Sequence, residues 1–176
     1  MTSGLTRWTR AVTALGSVSS LTVISLFLGI VFALRKAVYP LLLLALTMLG
    51  GSVLNMLLKH LFQRQRPAFE NPLVTLNSYG FPSGHTMGTT LLCGALALIA
   101  AATLKSRIAR ASVFCLAAIW VMIIGASRIY LGAHYFTDVI GAIAAGLAWL
   151  AFCWTAVETL RRWRMRQGRH VAPVAT

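Results

Sequence analysis

The stretch Ser127-Arg128-Ile129-Tyr130-Leu131-Gly132-Ala133-His134-Tyr135-Phe136-Thr137-Asp138 leads directly into an apolar run over 136–157. That run is 22 residues long and Asp138 is its only charged side chain. About 20 apolar residues suffice for a helix to cross the hydrocarbon of a bilayer. The pattern therefore predicts a membrane-spanning helix with a histidine and a carboxylate at its mouth. Four more stretches of similar character lie upstream, at Leu15 to Leu34, Val38 to Leu58, Thr86 to Leu104 and Ile108 to Ile124. A chain that is 58% hydrophobic and 11% charged has too little polar surface for a water-soluble globule of 176 residues. The expectation is an all-α, polytopic membrane bundle of about five transmembrane helices, forming one domain over residues 1–176.

The first apolar stretch follows Arg7 and Arg10, as a secretory leader would. It exceeds the roughly 7 to 15 apolar residues of a cleavable leader, so a retained anchor is expected. The three cysteines, Cys93, Cys115 and Cys153, all lie within apolar stretches. There a thiol behaves as a small hydrophobe, and neither a disulfide nor a metal cluster is expected. The residues beyond Arg169, His170 to Thr176, are expected to lack regular structure.

A net charge of +13 would suit nucleic acid, but the Lys and Arg residues sit between apolar spans and in a terminal run from Arg161 to Arg169. Membrane topology accounts for them, and no nucleic-acid partner is expected. Five spans put Arg35, Lys36, Lys105, Arg107, Arg110 and the terminal run on one side. By the enrichment of Lys and Arg in cytoplasmic loops, the 161–176 tail is cytoplasmic and the segments around Lys59 to His85 and Ser127 to Tyr135 share the outer face. Arg7 and Arg10 dissent, because the same count puts them outside.

An ionised Asp deep in a bilayer costs about 2.5 to 3.5 kcal/mol, so such a group faces a polar cavity or a partner. His134 stands four residues before Asp138, on the same face if helix begins by His134. A carboxylate that accepts the Nδ1 proton would leave Nε2 as a lone pair, which describes an activated histidine nucleophile. Taken alone, the pair reads equally as an interfacial contact without chemistry. Arg128, tethered six residues earlier, adds a cation. Phe81-Pro82-Ser83-Gly84-His85 then reads as a helix start: Ser83 suits an N-cap, Gly84 admits an anion to the backbone, and free amides at a helix N-terminus bind phosphate. His85 adds a proton donor that capping does not need. Lys59 and Arg66-Pro67, where the second span leaves the membrane, read by themselves as a snorkelling fringe. His60 and Asn55 are read as structural.

Together these residues spell Lys59-x6-Arg66-Pro67, Pro82-Ser83-Gly84-His85 and Ser127-Arg128-x5-His134-x3-Asp138. This resembles the type 2 phosphatidic acid phosphatase family, with every signature position present over residues 59–67, 82–85 and 127–138. The resemblance implies an acid phosphatase/haloperoxidase-like core. It implies that Lys59, Arg66 and Arg128 bind the phosphoryl oxygens with Ser83 and the Gly84 backbone. It further implies that His134 attacks phosphorus, that Asp138 orients it, and that His85 protonates the leaving group, with no metal or other cofactor. Many bacterial members look like six-span proteins, of which this chain is expected to lack the first. The resulting expectation is a lipid phosphate phosphatase of a bacterial inner membrane, its site on the periplasmic face. Undecaprenyl diphosphate is the first substrate guess, with phosphatidic acid or phosphatidylglycerol phosphate as alternatives. A vanadate-dependent haloperoxidase would share the anion pocket in a much larger soluble chain. A non-catalytic lipid-binding or transport protein remains the reading from another class, although a transporter needs charges deep in its spans and here they gather at one face.

Overall fold

The computed structural model describes residues 4–68, 73, 74, 76 and 78–170, and the regular structure among them is helical throughout. Helices α1 (Gly4–Leu15) and α2 (Val18–Leu34) are followed by α3 (Val38–Ala45), a π-helical turn (Leu46–Gly50) and α4 (Gly51–Phe62), which together form one long rod. Helices α5 (Gly84–Thr103), α6 (Arg107–Tyr130) and α7 (Phe136–His170) complete the bundle. Four helices, Val38–Phe62, Gly84–Thr103, Arg107–Tyr130 and Phe136–Gln167, are long and apolar enough to cross a membrane. A fifth crossing arises if α1 and α2, bent by 41° at their junction, count as one span. The all-α membrane bundle is the observed fold.

The expected first span, Leu15 to Leu34, divides at Gly16. Ser17 caps α2, its Oγ accepting from the Ser20 backbone N–H at 3.2 Å. A Cβ on Gly16 would lie 2.8 Å from Ile124 Cγ2 and 3.1 Å from Thr89 Oγ1, so the bend packs directly on α5 and α6. The preceding α1 carries threonines on its buried face, Thr6, Thr9 and Thr13, and packs along the C-terminal end of α6.

Helix α5 is the central element, packed against both α6 and α7. Its Met87, Leu91 and Ala95 meet Leu43 from α3 and Ala142, Leu150 and Cys153 from α7. Outward-facing positions carry large apolar side chains, Phe27 and Phe152 among them. This inside-out exposure is stable only where lipid replaces water, since lipid tails are as apolar as leucine. Helix α7 corrects the expected end of the last span at Val157: it continues through His170, stiffened by an Arg162 Nε to Glu158 Oε1 hydrogen bond of 2.8 Å. His170, expected without regular structure, is helical; residues 171–176 lie outside the described residues.

Two backbone devices place the functional segments. Gln63, at φ 44°, ends α4, its N–H bonding Lys59 O, and turns the chain across the end of the bundle. Pro67 then disfavours helical backbone at Arg66. Gly132, at φ 69°, lets the α6–α7 connection reverse within five residues. The two connections interlock, because Ser83 N–H donates to the Asp138 carbonyl at 3.1 Å.

Candidate active site

His134 lies in the short connection before α7 and is almost wholly buried. Its Nδ1 is 2.7 Å from the Gly80 carbonyl oxygen. A carbonyl can only accept, so Nδ1 carries the proton and Nε2 holds the lone pair. That lone pair accepts from Arg66 Nη1 at 3.0 Å. Burial first, then the positive charges of Arg66, Arg128 and Lys59, push the imidazole down to about 3, against the opposing effect of the Gly80 bond. At neutral pH His134 is therefore an uncharged base, its free nitrogen pointed at cations.

This corrects one part of the expected geometry. Asp138 was expected to accept the Nδ1 proton, but its Oδ2 is 3.6 Å from Nδ1 and accepts from the Tyr135 backbone N–H at 2.9 Å. The helix begins at Phe136, two residues after His134, so the i, i+4 register of a continuous helix does not apply. Gly80, delivered by the loop before α5, takes the proton instead.

Arg66 ties the first signature to the third and to the loop that leads into the second. Its Nε and Nη2 donate to Ser78 and Tyr79, and its Nη1 donates to the Ala133 carbonyl at 2.7 Å. Lys59 Nζ donates to the Tyr79 carbonyl. Arg128, near the end of α6, is buried, with Nη1 donating to Thr13 Oγ1 of α1 at 3.2 Å. Its Nε has no hydrogen-bond partner among the described residues. His85, at the start of α5, feels the charges of Arg128, Arg66 and Lys59.

Ser83 is fully buried at the N-cap position of α5 but makes no side-chain cap; its Oγ accepts from Thr86 Oγ1 at 3.0 Å. The first amides of α5 thus have no side-chain cap from Ser83, which suits an anion at the positive end of the helix. Gly84 keeps the approach open, with only Asn55 Oδ1 within contact range of a Cβ there, at 3.4 Å. Beside the cluster is a cavity of about 560 Å³ lined by Lys59, His60, Arg64, Arg66, Ser78 and Tyr79, among others. Among the described residues no group of His, Cys, Asp and Glu is arranged to hold a metal ion.

A family model described as the PAP2 superfamily matches residues 40–162, a segment that includes all three signatures. The chain belongs to the PAP2 superfamily. Phosphatidylglycerophosphatase B of Bacillus subtilis (strain 168) is 31% identical over 157 residues, covering 88% of this chain and 76% of that protein. Among solved structures, a transmembrane PAP2-type phosphatidylglycerolphosphate phosphatase from Bacillus subtilis matches with a TM-score of 0.80 at 31% identity, covering 90% of this chain and 79% of that one. LpxE of Aquifex aeolicus matches with a TM-score of 0.67 at 26% identity, covering 88% of each chain. The protein is an integral membrane lipid phosphate phosphatase of the PAP2 type.

Within this PAP2 site, several participants carry no signature in the sequence, Ser78 and Tyr79 beneath Arg66 among them. The Gly80 carbonyl, the Thr13 hydroxyl and the Arg64 guanidinium each touch a signature residue. Only Arg64 had a visible clue, its position two residues before Arg66.

Proposed function

We propose that the protein removes the terminal phosphate of a membrane lipid through a phosphohistidine formed on His134. The observation that carries this reading is the Nε2 lone pair of His134, held in one tautomer by Gly80 and facing Arg66. Lys59, Arg66, Arg128, Ser83 and the Gly84 amide hold the phosphoryl oxygens. Phosphoryl transfer spreads charge over these oxygens, and preorganised cations and amides stabilise it. Nε2 bonds to phosphorus as the bond from phosphorus to the lipid oxygen breaks. His85 gives that oxygen its proton. A water then attacks phosphorus, His85 takes its proton, the P–N bond breaks, and inorganic phosphate leaves.

Phosphatidylglycerol phosphate is the first substrate. In its favour stands the 31% identity to the Bacillus subtilis phosphatase whose name, in sequence and in solved structure alike, carries that activity. Undecaprenyl diphosphate is the second reading, favoured by the 560 Å³ cavity: its wall of Lys59, Arg64 and Arg66 offers charge for a second phosphate beside the reacting one. Phosphatidic acid leaves that wall unused. Two further cavities between α2 and the α3–α4 rod share Thr22, Met48 and Ser52, and one of them reaches Asn55 and Gly84. They give a lipid tail an apolar path from the site into the bilayer. The chain acts as one phosphatase domain in a bacterial cytoplasmic membrane. The Arg161 to Arg166 end of α7 faces the cytoplasm and the site faces the periplasm, in keeping with the enrichment of Lys and Arg on the cytoplasmic side.

Purified protein in mixed micelles with excess chelator is expected to release inorganic phosphate from phosphatidylglycerol phosphate, and His134→Ala is not. Activity that depends on added magnesium would contradict the mechanism. Turnover of undecaprenyl diphosphate alone would reverse the substrate order.

A further inference from the structure

Asp138 is fully buried at the start of α7, and a buried carboxylate is costly unless a cation balances it. His134 is not that cation, because its imidazole is neutral and gives its Nδ1 proton to Gly80. The balancing charge is Arg64, whose Nη1 donates to Asp138 Oδ1 at 2.8 Å. The same nitrogen lies 2.6 Å from Thr137 Oγ1, and the guanidinium stacks over the Tyr135 ring at 4.7 Å. Contacts with Tyr135, just before α7, and with Thr137 and Asp138 in its first turn fix an arginine whose side chain is 39% exposed. Arg64 reaches them because the left-handed Gln63 throws the chain across the bundle end.

We infer that Arg64 is a positioning residue for the reaction, holding and neutralising the Asp138 carboxylate beside His134 until the imidazole itself becomes charged. This rests on the reading of His134 as nucleophile. When Nε2 bonds to phosphorus the ring becomes cationic, its Nδ1–H grows more acidic, and Asp138 Oδ2, 3.6 Å away, is the anion within reach. Without Arg64, the full carboxylate charge would act on His134 in the resting enzyme. It would draw the Nδ1 proton from Gly80, make the ring more basic, and hold the phosphohistidine in a deeper well from which water releases phosphate slowly. Arg64 thus keeps one carboxylate available to two cations in turn.

The charged groups around His134 are Lys59 and Arg66 from the first signature, Arg128 from α6, His85 under the same cations at the head of α5, and Asp138 with Arg64 behind it. Removing Arg64 changes only the last of these directly. The test uses full-length protein in detergent micelles and two readouts. In ¹⁵N-histidine NMR, without substrate, Arg64→Ala is expected to raise the His134 titration midpoint by about one pH unit or more. Arg64→Lys should leave it near the parent value. In an Asp138→Asn background Arg64→Ala should no longer move it, because the charge it screens is gone. In turnover, Arg64→Ala should lower kcat by about 10- to 100-fold alone and less than twofold in the Asp138→Asn background. A midpoint that stays put, or an equal loss in both backgrounds, would overturn the inference. Arg64→Gln replaces Arg64→Ala should the latter fail to fold. If the parent protein released phosphate from no lipid, the proposed function would fall, while the NMR titration would still decide the role of Arg64.

Discussion

Helix α7 carries two carboxylates twenty residues apart, Asp138 and Glu158, at positions that a rise of 1.5 Å per residue separates by about 30 Å. That distance is the thickness of a bilayer's hydrocarbon. Both are ion-paired to arginine at 2.8 Å. Asp138 is fully buried and its partner, Arg64, comes from 74 residues away. Glu158 is 22% exposed and its partners, Arg161 and Arg162, lie on the next turn of the same helix. The same bond length thus serves two purposes. The distant pair ties the turn after α4 to the head of α7 and sets the charge next to His134. The local pair only smooths a surface crowded with arginines.

Asp138→Asn tests the first half of that contrast most severely. The amide keeps the shape but removes the charge, and its Nδ2 only donates, so its single oxygen can accept from Arg64 or from the Tyr135 N–H but not from both. By analogy with the aspartate that orients a catalytic histidine in a triad, kcat/KM is expected to fall on the order of 10³-fold. Phosphate release from the lipid substrate is the measurement. A loss smaller than about tenfold would put Asp138 in the same class as Glu158 and erase the distinction.

Thr13 stands between the extremes and sharpens the comparison, since it too reaches a signature residue over a long sequence distance but with a neutral hydroxyl. Thr13→Val removes the acceptor for Arg128 Nη1 while preserving volume. A hydrogen bond to a charged group contributes about 1.5 kcal/mol or more, so kcat/KM should drop about tenfold, mostly through KM if Arg128 holds the phosphate as proposed. Thr13→Ser should restore it. An unchanged KM in Thr13→Val would mean that α1 merely covers α6.

How much of this was readable from residues alone depends on the range of each interaction. The α5 stretch was placed to within two residues of its ends, because about 20 apolar residues bounded by Ser83-Gly84 and Lys105 leave little choice. Segment α1 was missed: GLTRWTRAVTAL has no apolar run, and on its threonine-lined buried face Thr6 and Thr13 meet Tyr130 and Arg128, partners that only the fold supplies. The π-helical turn at Leu46–Gly50 was invisible because a uniformly apolar segment has no periodicity to break. There Trp149 and Leu91 close on Gly50 and Gly51, where no side chain could fit unless they moved. At the site, the signature spacing nominated Arg66, whose Nη1 meets His134 Nε2, and Asp138, 3.6 Å from Nδ1. It could not nominate Gly80, since a backbone carbonyl carries no residue type. Arg64 looked like any interfacial arginine until the left-handed Gln63 gave it a direction.

The smallest expected effect belongs to Glu158→Gln. Exposed or half-exposed pairs at i, i+3 and i, i+4 contribute about 0.3 to 0.5 kcal/mol each, and the local field here opposes any larger value: removing Glu158 leaves Arg161, Arg162, Arg164 and Arg166 to repel one another in a region that water and lipid headgroups screen. Less than 1 kcal/mol in a chain of this size moves Tm by roughly 1 to 3 °C. Turnover should be unchanged, because the residue lies a bilayer's width from His134. Thermal unfolding in detergent and phosphate release measured on the same preparation check both statements. A fall in kcat/KM of more than about threefold, equivalent to roughly 0.7 kcal/mol, would show that the two ends of α7 are coupled through the helix, and the contrast between its two carboxylates would have to be drawn along a communication path rather than by distance.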